Sequence, residues 1–137
     1  MQKFNAIICD IDGTLSERGD RSPYNWSKVE SDTVHKHIAD MLSLYFSHTD
    51  IILVSGRDSV CYGDTLRWLN KNRIKFDGLY MRAVGDKRRD SIVKQEIYEN
   101  HIKDKYNILF VLDDRDQVVK MWRSLGLKCL QVAEGNF

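Results

Sequence analysis

The sequence contains little proline, little cysteine, little net charge and no long apolar run. Of its 137 residues one is proline and three are cysteine, and the formal net charge is +1. So small a charge argues against a generally basic nucleic-acid-binding surface, although a local basic patch remains open. No apolar run approaches the ~20 residues of a membrane-spanning helix, so no membrane association is expected. The sequence also lacks repeats, low-complexity tracts and Pro/Gly-rich linkers.

The cysteines and the amino-terminal residues indicate a reducing compartment. Cys9, Cys61 and Cys129 are an odd number without metal-site spacing, and Cys9 and Cys129 lie in apolar runs typical of buried thiols. The first residues lack the apolar core of a signal peptide. We therefore expect a cytoplasmic protein in which residues 1–137 form one domain, since 42% apolar and 30% charged residues is an ordinary globular composition.

Apolar strand-like runs alternate with helical patterns along the chain. Strands are predicted at about residues 4–9, 50–54, 79–81, 107–112 and 128–132, and helices at about 33–46, 64–72, 91–102 and 116–125. The first helix is expected to be capped by Ser31 or Asp32, after an irregular segment at residues 16–31 that contains Pro23. This alternation predicts an α/β fold, a three-layer Rossmann-like structure with a parallel sheet between helices.

The most informative segment is residues 10–15, with the sequence Asp-Ile-Asp-Gly-Thr-Leu. Asp10 and Asp12 come just beyond the first predicted strand, where open α/β sheets bind ligands, and Gly13 allows a sharp turn. Two carboxylates this close repel each other. A site that holds both as anions therefore needs a counter-charge, usually a metal ion.

Polar groups also follow other predicted strands. Ser55, Gly56 and Arg57 follow the second strand, and Asp113 and Asp114 follow the fourth. Because the carboxyl ends of parallel strands share one edge, these side chains should converge on the first motif. Several carboxylates in one cleft favour a hard cation with oxygen ligands, and we expect Mg²⁺.

The converging groups suit phosphoryl transfer. A metal ion, Arg57 and Lys94 would stabilise negative charge on the phosphoryl oxygens while a carboxylate attacks in line and forms an aspartyl-phosphate. A second carboxylate two residues away can protonate the leaving oxygen and later activate water. Each residue also has a plainer interpretation, since Asp113 and Asp114 are common helix caps and lysines such as Lys94 are common on solvated helix faces.

Four motifs in this order resemble the haloacid dehalogenase (HAD) superfamily of phosphatases. They are residues 10–14, Ser55, Lys94 and the Asp113-Asp114 pair, within about residues 6–133. A closer resemblance is to the 3′-phosphatase domain of phage-type polynucleotide kinase/phosphatase. It is carried by Arg21-Ser22-Pro23-Tyr24, Ser55-Gly56-Arg57, Gly85-Asp86, Arg89-Asp90, Val93-Lys94-x-Glu96-Ile97, Asp113-Asp114-Arg115-x-Gln117-Val118-Val119, Met121-Trp122-Arg123 and Gln131-Val132-Ala133 with Gly135.

The resemblance implies an essentially capless HAD fold and catalytic roles for individual residues. Asp10 would be the nucleophile and a metal ligand. Asp12 would be the general acid/base, and its backbone carbonyl would also bind Mg²⁺. Lys94 would be catalytic and, together with Ser55, would hold the transferring phosphoryl group.

Further implied roles concern the metal ion and the substrate phosphate. Asp113 and Asp114 would complete the metal site, with Asp114 expected as the direct ligand. Arg21 and Arg57 would contact or orient the phosphate, and Asp90 would position a basic neighbour. Two more residues are implied at the phosphate-binding site: Thr14 and Gly56.

The substrate and the partners remain open at this point. The segments after the first two motifs are too short for a separate cap domain, so an open site would admit a nucleic-acid end, unless an oligomer partner or residues 16–31 cover it. Removal of 3′-phosphates from DNA or RNA ends is the leading expectation. The alternatives are a phosphatase of free nucleotides or other small phosphomonoesters, and a non-catalytic domain that binds nucleic-acid ends or a partner. The sequence contains no G-x-x-x-x-G-K-[ST] loop, so the kinase half of the phage-type proteins is missing from it, and whether a separate kinase or ligase works alongside is left open.

Two groups outside the motifs are candidates for nucleic-acid contact. Lys87, Arg88 and Arg89 would attract a polyanion, or else form only a solvated face. Tyr24 and Trp26 lie in the segment beside the predicted site and are candidates for stacking on a base. The other tryptophans are expected in the core.

Overall fold

The computed structural model describes residues 2–17, 21–22 and 24–137. Within them the strands are β1 (Phe4–Cys9), β2 (Ser16–Glu17), β3 (Thr33–Val34), β4 (Asp50–Asp58), β5 (Gly78–Arg82), β6 (Tyr106–Asp113) and β7 (Cys129–Gln131). The α-helices are α1 (Lys36–Phe46), α2 (Tyr62–Lys71), α3 (Asp90–Ile97) and α4 (Asp116–Ser124). Pro23, which belongs to one of the family-like segments, lies outside the described residues.

A five-stranded sheet forms the centre of the fold, with the strand order β5-β4-β1-β6-β7. The central strand β1 pairs with β4 and β6, and every pair in this sheet is parallel. Parallel neighbours need crossover connections, and a helix accordingly lies between each strand of this sheet and the next along the chain. The predicted α/β fold is confirmed, and its topology places the carboxyl ends of the strands at one edge.

The sheet has an apolar core on each face because alternate residues of β1 point to opposite sides. Ile8 belongs to the buried cluster that contains Trp122 of α4, whereas Ile7 belongs to the cluster that contains Trp68 of α2. Both tryptophans are completely buried, as the sequence predicted. Burial on both faces explains why residues 6–9 are continuously apolar.

The cysteines lie inside the fold. Cys9, Cys61 and Cys129 are all buried and unpaired, which confirms the expectation for the first and the last. Burial raises the pKa of the Cys129 thiol to about 12, so this group stays protonated at neutral pH. Among the described helices none is long and apolar enough to cross a membrane.

The segment before α1 differs from the sequence prediction. Thr33 and Val34 form β3, which pairs antiparallel with β2, and the helix begins only at Lys36. The N-cap position belongs to His35, whose side chain makes no capping bond, so the predicted cap at Ser31 or Asp32 is wrong. The described part of residues 16–31 is also less irregular than predicted, since it contains β2 and a 3₁₀-helix at Trp26–Ser31.

Two further boundaries differ from the predicted ones. Strand β4 continues to Asp58, so residues 55–57 lie within the strand and not after it. Helix α3 ends at Ile97, and a wider π-type turn at Tyr98–Ile102 follows, with a bond from the Lys103 amide to the Tyr98 carbonyl at 2.8 Å. Neither difference moves the polar groups away from the sheet edge.

Candidate active site

Asp10 lies at the carboxyl end of the central strand, and its side chain is held from two sides. The backbone amide of Asp10 donates to the carbonyl of Leu112 at 3.0 Å, which continues the pairing of β1 with β6. Its Oδ1 accepts a hydrogen bond from Lys94 Nζ at 2.8 Å, and its Oδ2 accepts one from Thr14 Oγ1 at 3.0 Å. The carboxylate is therefore buried and fixed in orientation.

Asp113, at the end of β6, is saturated with hydrogen-bond donors. Its Oδ2 accepts from Lys94 Nζ at 3.0 Å and from the indole Nε1 of Trp122 at 3.2 Å. Its Oδ1 accepts from the backbone amides of Asp114 at 2.8 Å and Arg115 at 3.4 Å. Both oxygens thus serve to orient the protein's own groups, above all the Lys94 ammonium.

Asp114 projects toward the first motif. Thr14 Oγ1 donates to its Oδ1 at 3.4 Å, and a Cβ on Gly13 would lie only 2.1 Å from its Oδ2. Gly13 also has a φ of +81°, a conformation that residues with a Cβ rarely adopt. The glycine therefore gives the Asp114 carboxylate the room that it occupies.

Three buried carboxylates meet here with one ammonium group between them. Ligand oxygens of Asp10, Asp113 and Asp114 all lie within 4.8 Å of one another, and Lys94 is the cation that contacts two of these residues. Oxygen donors with excess negative charge are the set that a hard divalent cation prefers. The residues present therefore fit a divalent metal ion.

The pKa shifts reflect this excess of negative charge. Burial, followed by the charge of Asp113, raises the pKa of Asp10 well above its ordinary value. Burial and the charge of Asp113 likewise raise the pKa of Asp114. Burial alone would lower the pKa of Lys94, but the charges of Asp10 and Asp113 outweigh it and raise that pKa. An additional positive charge would keep the carboxylates ionised.

Asp12 has different surroundings from Asp10. Its side chain is 38% exposed and contacts two guanidinium groups, with Arg57 Nη2 at 2.7 Å and Arg21 Nη2 at 3.3 Å from Oδ1. Burial by itself would raise the pKa of Asp12, but hydrogen bonds and charge from Arg57 and charge from Arg21 lower it below its ordinary value. The two motif carboxylates thus have pKa values shifted in opposite directions, because Asp12 faces two guanidinium groups whereas Asp10 is buried beside the Asp113 carboxylate.

Asp32 is the site residue that the sequence analysis did not identify. Its buried carboxylate accepts from Arg21 Nε at 2.8 Å and Nη2 at 2.9 Å, and from Arg57 Nη2 at 3.0 Å. Its backbone carbonyl accepts from Trp68 Nε1 at 2.8 Å. No signal in the sequence pointed to this role, because Asp32 follows no predicted strand and meets both arginines only through the tertiary fold.

The predicted substrate-binding residues of β4 are mostly held by the protein itself. Ser55 Oγ accepts from the backbone amide of Arg57 at 3.1 Å, and Arg57 Nη1 donates to Thr65 Oγ1 at 3.0 Å. A Cβ on Gly56 would lie 1.9 Å from Asp90 Oδ1, so this position requires glycine. Asp90 accepts from Arg82 Nη2 at 3.0 Å, which gives it the basic neighbour that was expected.

All of these residues surround or line one cleft of about 1060 Å³. Its lining includes most of the predicted site residues: Asp10, Asp12, Arg21, Gly56, Arg57, Asp90, Lys94, Asp113 and Asp114. Ser55 and Thr14 are buried behind this lining. The cleft also contains the Lys87–Arg89 cluster and the aromatic rings of Tyr24 and Trp26. The structure therefore brings every predicted site residue together, while their individual roles stay predictions.

Comparisons with known proteins agree with this geometry. The sequence-family model described as "Polynucleotide kinase PNKP phosphatase domain" matches residues 4–137 of this chain. The chain is 35% identical over 126 residues to the "Putative bifunctional polynucleotide kinase/RNA ligase" of Autographa californica nuclear polyhedrosis virus, a match over 89% of this chain and 18% of that protein.

Two solved structures contain chains of nearly the same fold. A chain in the Pnkp1/Rnl/Hen1 complex is 42% identical with a TM-score of 0.97, covering 100% of this chain and 48% of that one. A chain in the Pnkp1/Rnl/Hen1 RNA repair complex is also 42% identical, with a TM-score of 0.96, and the match covers 98% of this chain and 44% of that one. The chain therefore spans less than a fifth of the viral relative and just under half of each structural relative.

Proposed function

Because this chain belongs to the family of polynucleotide kinase PNKP phosphatase domains, we propose that it removes 3′-phosphates from polynucleotide ends through an aspartyl-phosphate intermediate. The family assignment gives the coarser conclusion, a HAD phosphatase domain that acts on nucleic-acid ends. One observation carries the finer proposal: the Asp10 carboxylate is buried in the cleft and fixed by Lys94 and Thr14. A carboxylate so held is preorganised for in-line attack on phosphorus.

The same proposal includes a Mg²⁺ ion held by Asp10, Asp114 and the backbone carbonyl of Asp12. When bound, the ion would neutralise charge on the phosphoryl oxygens and keep the carboxylates ionised. Asp113 is assigned a different role, because each of its two carboxylate oxygens already accepts two hydrogen bonds from groups of the protein. It holds Lys94, whose ammonium then stabilises the transferring phosphoryl group together with the Ser55 hydroxyl.

The chemistry proceeds in two displacements. In the first, a carboxylate oxygen of Asp10 forms a bond to phosphorus while the bond to the 3′ oxygen breaks. Asp12 gives that oxygen its proton, because an anionic phosphate beside Asp12 draws charge from Arg21 and Arg57 and offsets their lowering of its pKa. In the second, Asp12 takes a proton from water, the water oxygen attacks phosphorus, and inorganic phosphate leaves Asp10 as a free carboxylate. Arg21 and Arg57, which contact Asp12 before substrate arrives, orient the phosphate beside it.

RNA ends are the proposed substrate. The viral relative is described as a kinase joined to an RNA ligase, and a structural relative lies in an RNA repair complex. This chain spans only part of each relative, so we also propose that it works beside a kinase or a ligase. Free nucleotides and small phosphomonoesters remain the competing substrates.

The experiment is phosphate release from a 3′-phosphorylated RNA oligonucleotide, measured with Mg²⁺ and with EDTA. We expect release by the native chain with Mg²⁺, none with EDTA, and a loss of at least a thousandfold in the Asp10→Asn variant, because an amide cannot replace the attacking carboxylate. Asp40→Asn, an exposed change on α1, is the matched control and should retain full activity.

Two outcomes would contradict the proposal. Full release by Asp10→Asn would remove the nucleophile assignment. Cleavage of 3′-mononucleotides or p-nitrophenyl phosphate without cleavage of the oligonucleotide would keep the phosphatase chemistry and move the substrate to small phosphomonoesters. The same assay with a 3′-phosphorylated DNA oligonucleotide shows whether phosphate is released faster from RNA or from DNA.

A further inference from the structure

The cleft extends beyond the phosphoryl site to an aromatic surface formed by Tyr24 and Trp26. The two rings stand perpendicular, with centroids 6.5 Å apart and an interplanar angle of 88°. Tyr24 is 82% exposed, and Trp26 is only partly buried. Neither ring belongs to the apolar cores, so the packing of the fold does not account for them.

Local hydrogen bonds hold the backbone segment that carries these rings. The Asn25 amide donates to the Ser22 carbonyl at 3.0 Å, and the Lys28 amide donates to the Asn25 carbonyl at 3.3 Å. Ser27 Oγ donates to Asn25 Oδ1 at 2.6 Å. Val29, three residues after Trp26, is completely buried and anchors the segment to the body of the protein.

Arg21 contacts both the aromatic surface, through Trp26, and the acid/base carboxylate of Asp12. Its guanidinium lies 5.9 Å from the centroid of the Trp26 ring and 3.3 Å, through Nη2, from Asp12 Oδ1. A single guanidinium therefore spans from the aromatic pair to the acid/base carboxylate. The aromatic pair and the phosphoryl site are therefore neighbours in one cleft, as the base and the phosphate of one nucleotide would require.

The charged part of the cleft lining favours a nucleic-acid end over a small apolar ligand. Arg88 is occupied by ion pairs to Asp86 and Glu96. Lys87 and Arg89 line the same cleft, and neither forms an ion pair with any residue in the described part of the chain. Cationic groups that track a backbone, combined with aromatic rings that face bases, are the combination by which proteins bind single strands.

We propose that Tyr24, supported by Trp26, stacks on the base of the nucleotide that carries the 3′-phosphate. This inference rests on the proposed function and adds a substrate contact to it. Stacking is tolerant of base identity, because every base has a π-face. The contact would raise the affinity for any polynucleotide 3′ end relative to phosphomonoesters that lack a base.

The test compares the native chain and Tyr24→Ala on two RNA oligonucleotides, one ordinary and one with an abasic 3′-terminal nucleotide, both 3′-phosphorylated. For the ordinary oligonucleotide we expect KM to rise roughly tenfold in Tyr24→Ala, the order of loss for one base–aromatic stack. For the abasic oligonucleotide the variant and the native chain should differ less than about twofold, because no stack exists to lose. An equal loss on both oligonucleotides would overturn the stacking assignment, as would no loss on either.

Two further variants separate the ring from other effects. Tyr24→Phe keeps the ring and should retain the native KM, and a Tyr24→Phe variant as weak as Tyr24→Ala would overturn stacking in favour of the hydroxyl. Phe4→Ala removes an aromatic ring that is 70% exposed at the opposite, amino end of β1 and should change nothing. If the native chain does not cleave either oligonucleotide, the proposed function itself fails, which is distinct from an unchanged KM in an active Tyr24→Ala enzyme.

Discussion

Arg21 and Asp32 form a bidentate ion pair that is almost completely buried beside the cleft. The guanidinium uses Nε and Nη2, and the two carboxylate oxygens lie at 2.8 and 2.9 Å from them. Arg57 donates to the same carboxylate at 3.0 Å. One buried acid therefore orients both arginines that contact Asp12, and through them it sets the electrostatic surroundings of the acid/base group.

Substitution of Asp32 by asparagine should impair both stability and activity. It removes the shared anionic acceptor while both guanidiniums stay buried, and breaking a buried ion pair on one side costs about 3–5 kcal/mol. We expect urea denaturation to show a loss of unfolding free energy of about 3 kcal/mol or more, with phosphatase activity lowered at least tenfold in the fraction that stays folded. The exposed Asp40→Asn variant is the control. If its unfolding curve and that of Asp32→Asn coincide, the ion pairs of Asp32 do not stabilise the fold.

Trp122 should matter for catalysis although it is a core residue. Its indole N–H donates to the same Asp113 oxygen that accepts from Lys94. Trp122→Phe keeps an aromatic ring in the core but leaves that carboxylate without one donor, at a cost of about 1.5–3 kcal/mol. We expect a lower kcat in steady-state assays because Lys94 is held less firmly. Tyr98→Phe is the control, since it keeps the ring that packs edge-on against Trp122, and equal kcat values for the two variants would refute the argument.

Gly13→Ala should remove metal-dependent activity for a steric reason. The new Cβ would meet Asp114 Oδ2 at 2.1 Å and would also sit at a φ of +81°. Gly126→Ala has nearly the same strain at +83° but no atom within 4 Å of its Cβ, so it measures the backbone cost alone, about 1–2 kcal/mol. We expect both variants to lose stability in thermal denaturation and only Gly13→Ala to lose activity. A similar loss of activity in both would mean that strain, and not displacement of Asp114, is responsible.

Substitutions of the adjacent residues Asp113 and Asp114 should have different effects in a magnesium titration. Asp114→Asn removes a proposed ligand, so the rise in melting temperature on adding Mg²⁺ should shrink or vanish and activity should need more metal. Asp113→Asn weakens the hold on Lys94, so kcat should fall even at saturating Mg²⁺. The reverse assignment would follow if Asp113→Asn alone abolished the thermal shift.

Much of the site could be predicted because parallel sheet topology brings residues that are distant in sequence to the same edge of the sheet. Asp10 directly follows β1 and Asp113 is the last residue of β6, and parallel pairing of these two strands is enough to make them neighbours. Asp32 could not be found in this way. It follows no strand, and its importance depends on tertiary pairing with arginines 11 and 25 positions away along the chain.

The missed strand β3 has a similar explanation. Val34 and Ile38 are four residues apart and continue the apolar spacing of α1, so the local pattern favours a helix that starts too early. The backbone at Thr33 and Val34 is instead extended because it pairs with Ser16 and Glu17, a contact between distant segments. Pattern within a single segment carries no information about that pairing.

The same β2–β3 region should make stability depend on pH. His35 Nε2 lies 2.7 Å from Glu17 Oε1, and its Nδ1 lies 2.8 Å from the Thr14 carbonyl. Burial alone would lower the pKa of His35, but the hydrogen bonds to Glu17 and Thr14 outweigh it and raise that pKa above its ordinary value of 6.5. A histidine whose pKa is raised on folding contributes stability that is complete below the unfolded pKa and is lost as the pH rises through the folded pKa.

Glu17→Gln removes the hydrogen-bonding carboxylate responsible for much of this effect, so the urea midpoint should fall relative to the native chain at pH 5.5, below the unfolded pKa of His35. The two midpoints should approach each other as the pH rises through the folded pKa of His35 toward 8.5, because the imidazole then loses its charge. The difference will be small, because Glu17 is 62% exposed and surface pairs contribute at most about 1 kcal/mol. The sign of the pH dependence is nevertheless fixed by the direction of the shift. A larger effect of Glu17→Gln at pH 8.5 than at pH 5.5 would show that His35 is not protonated through this contact.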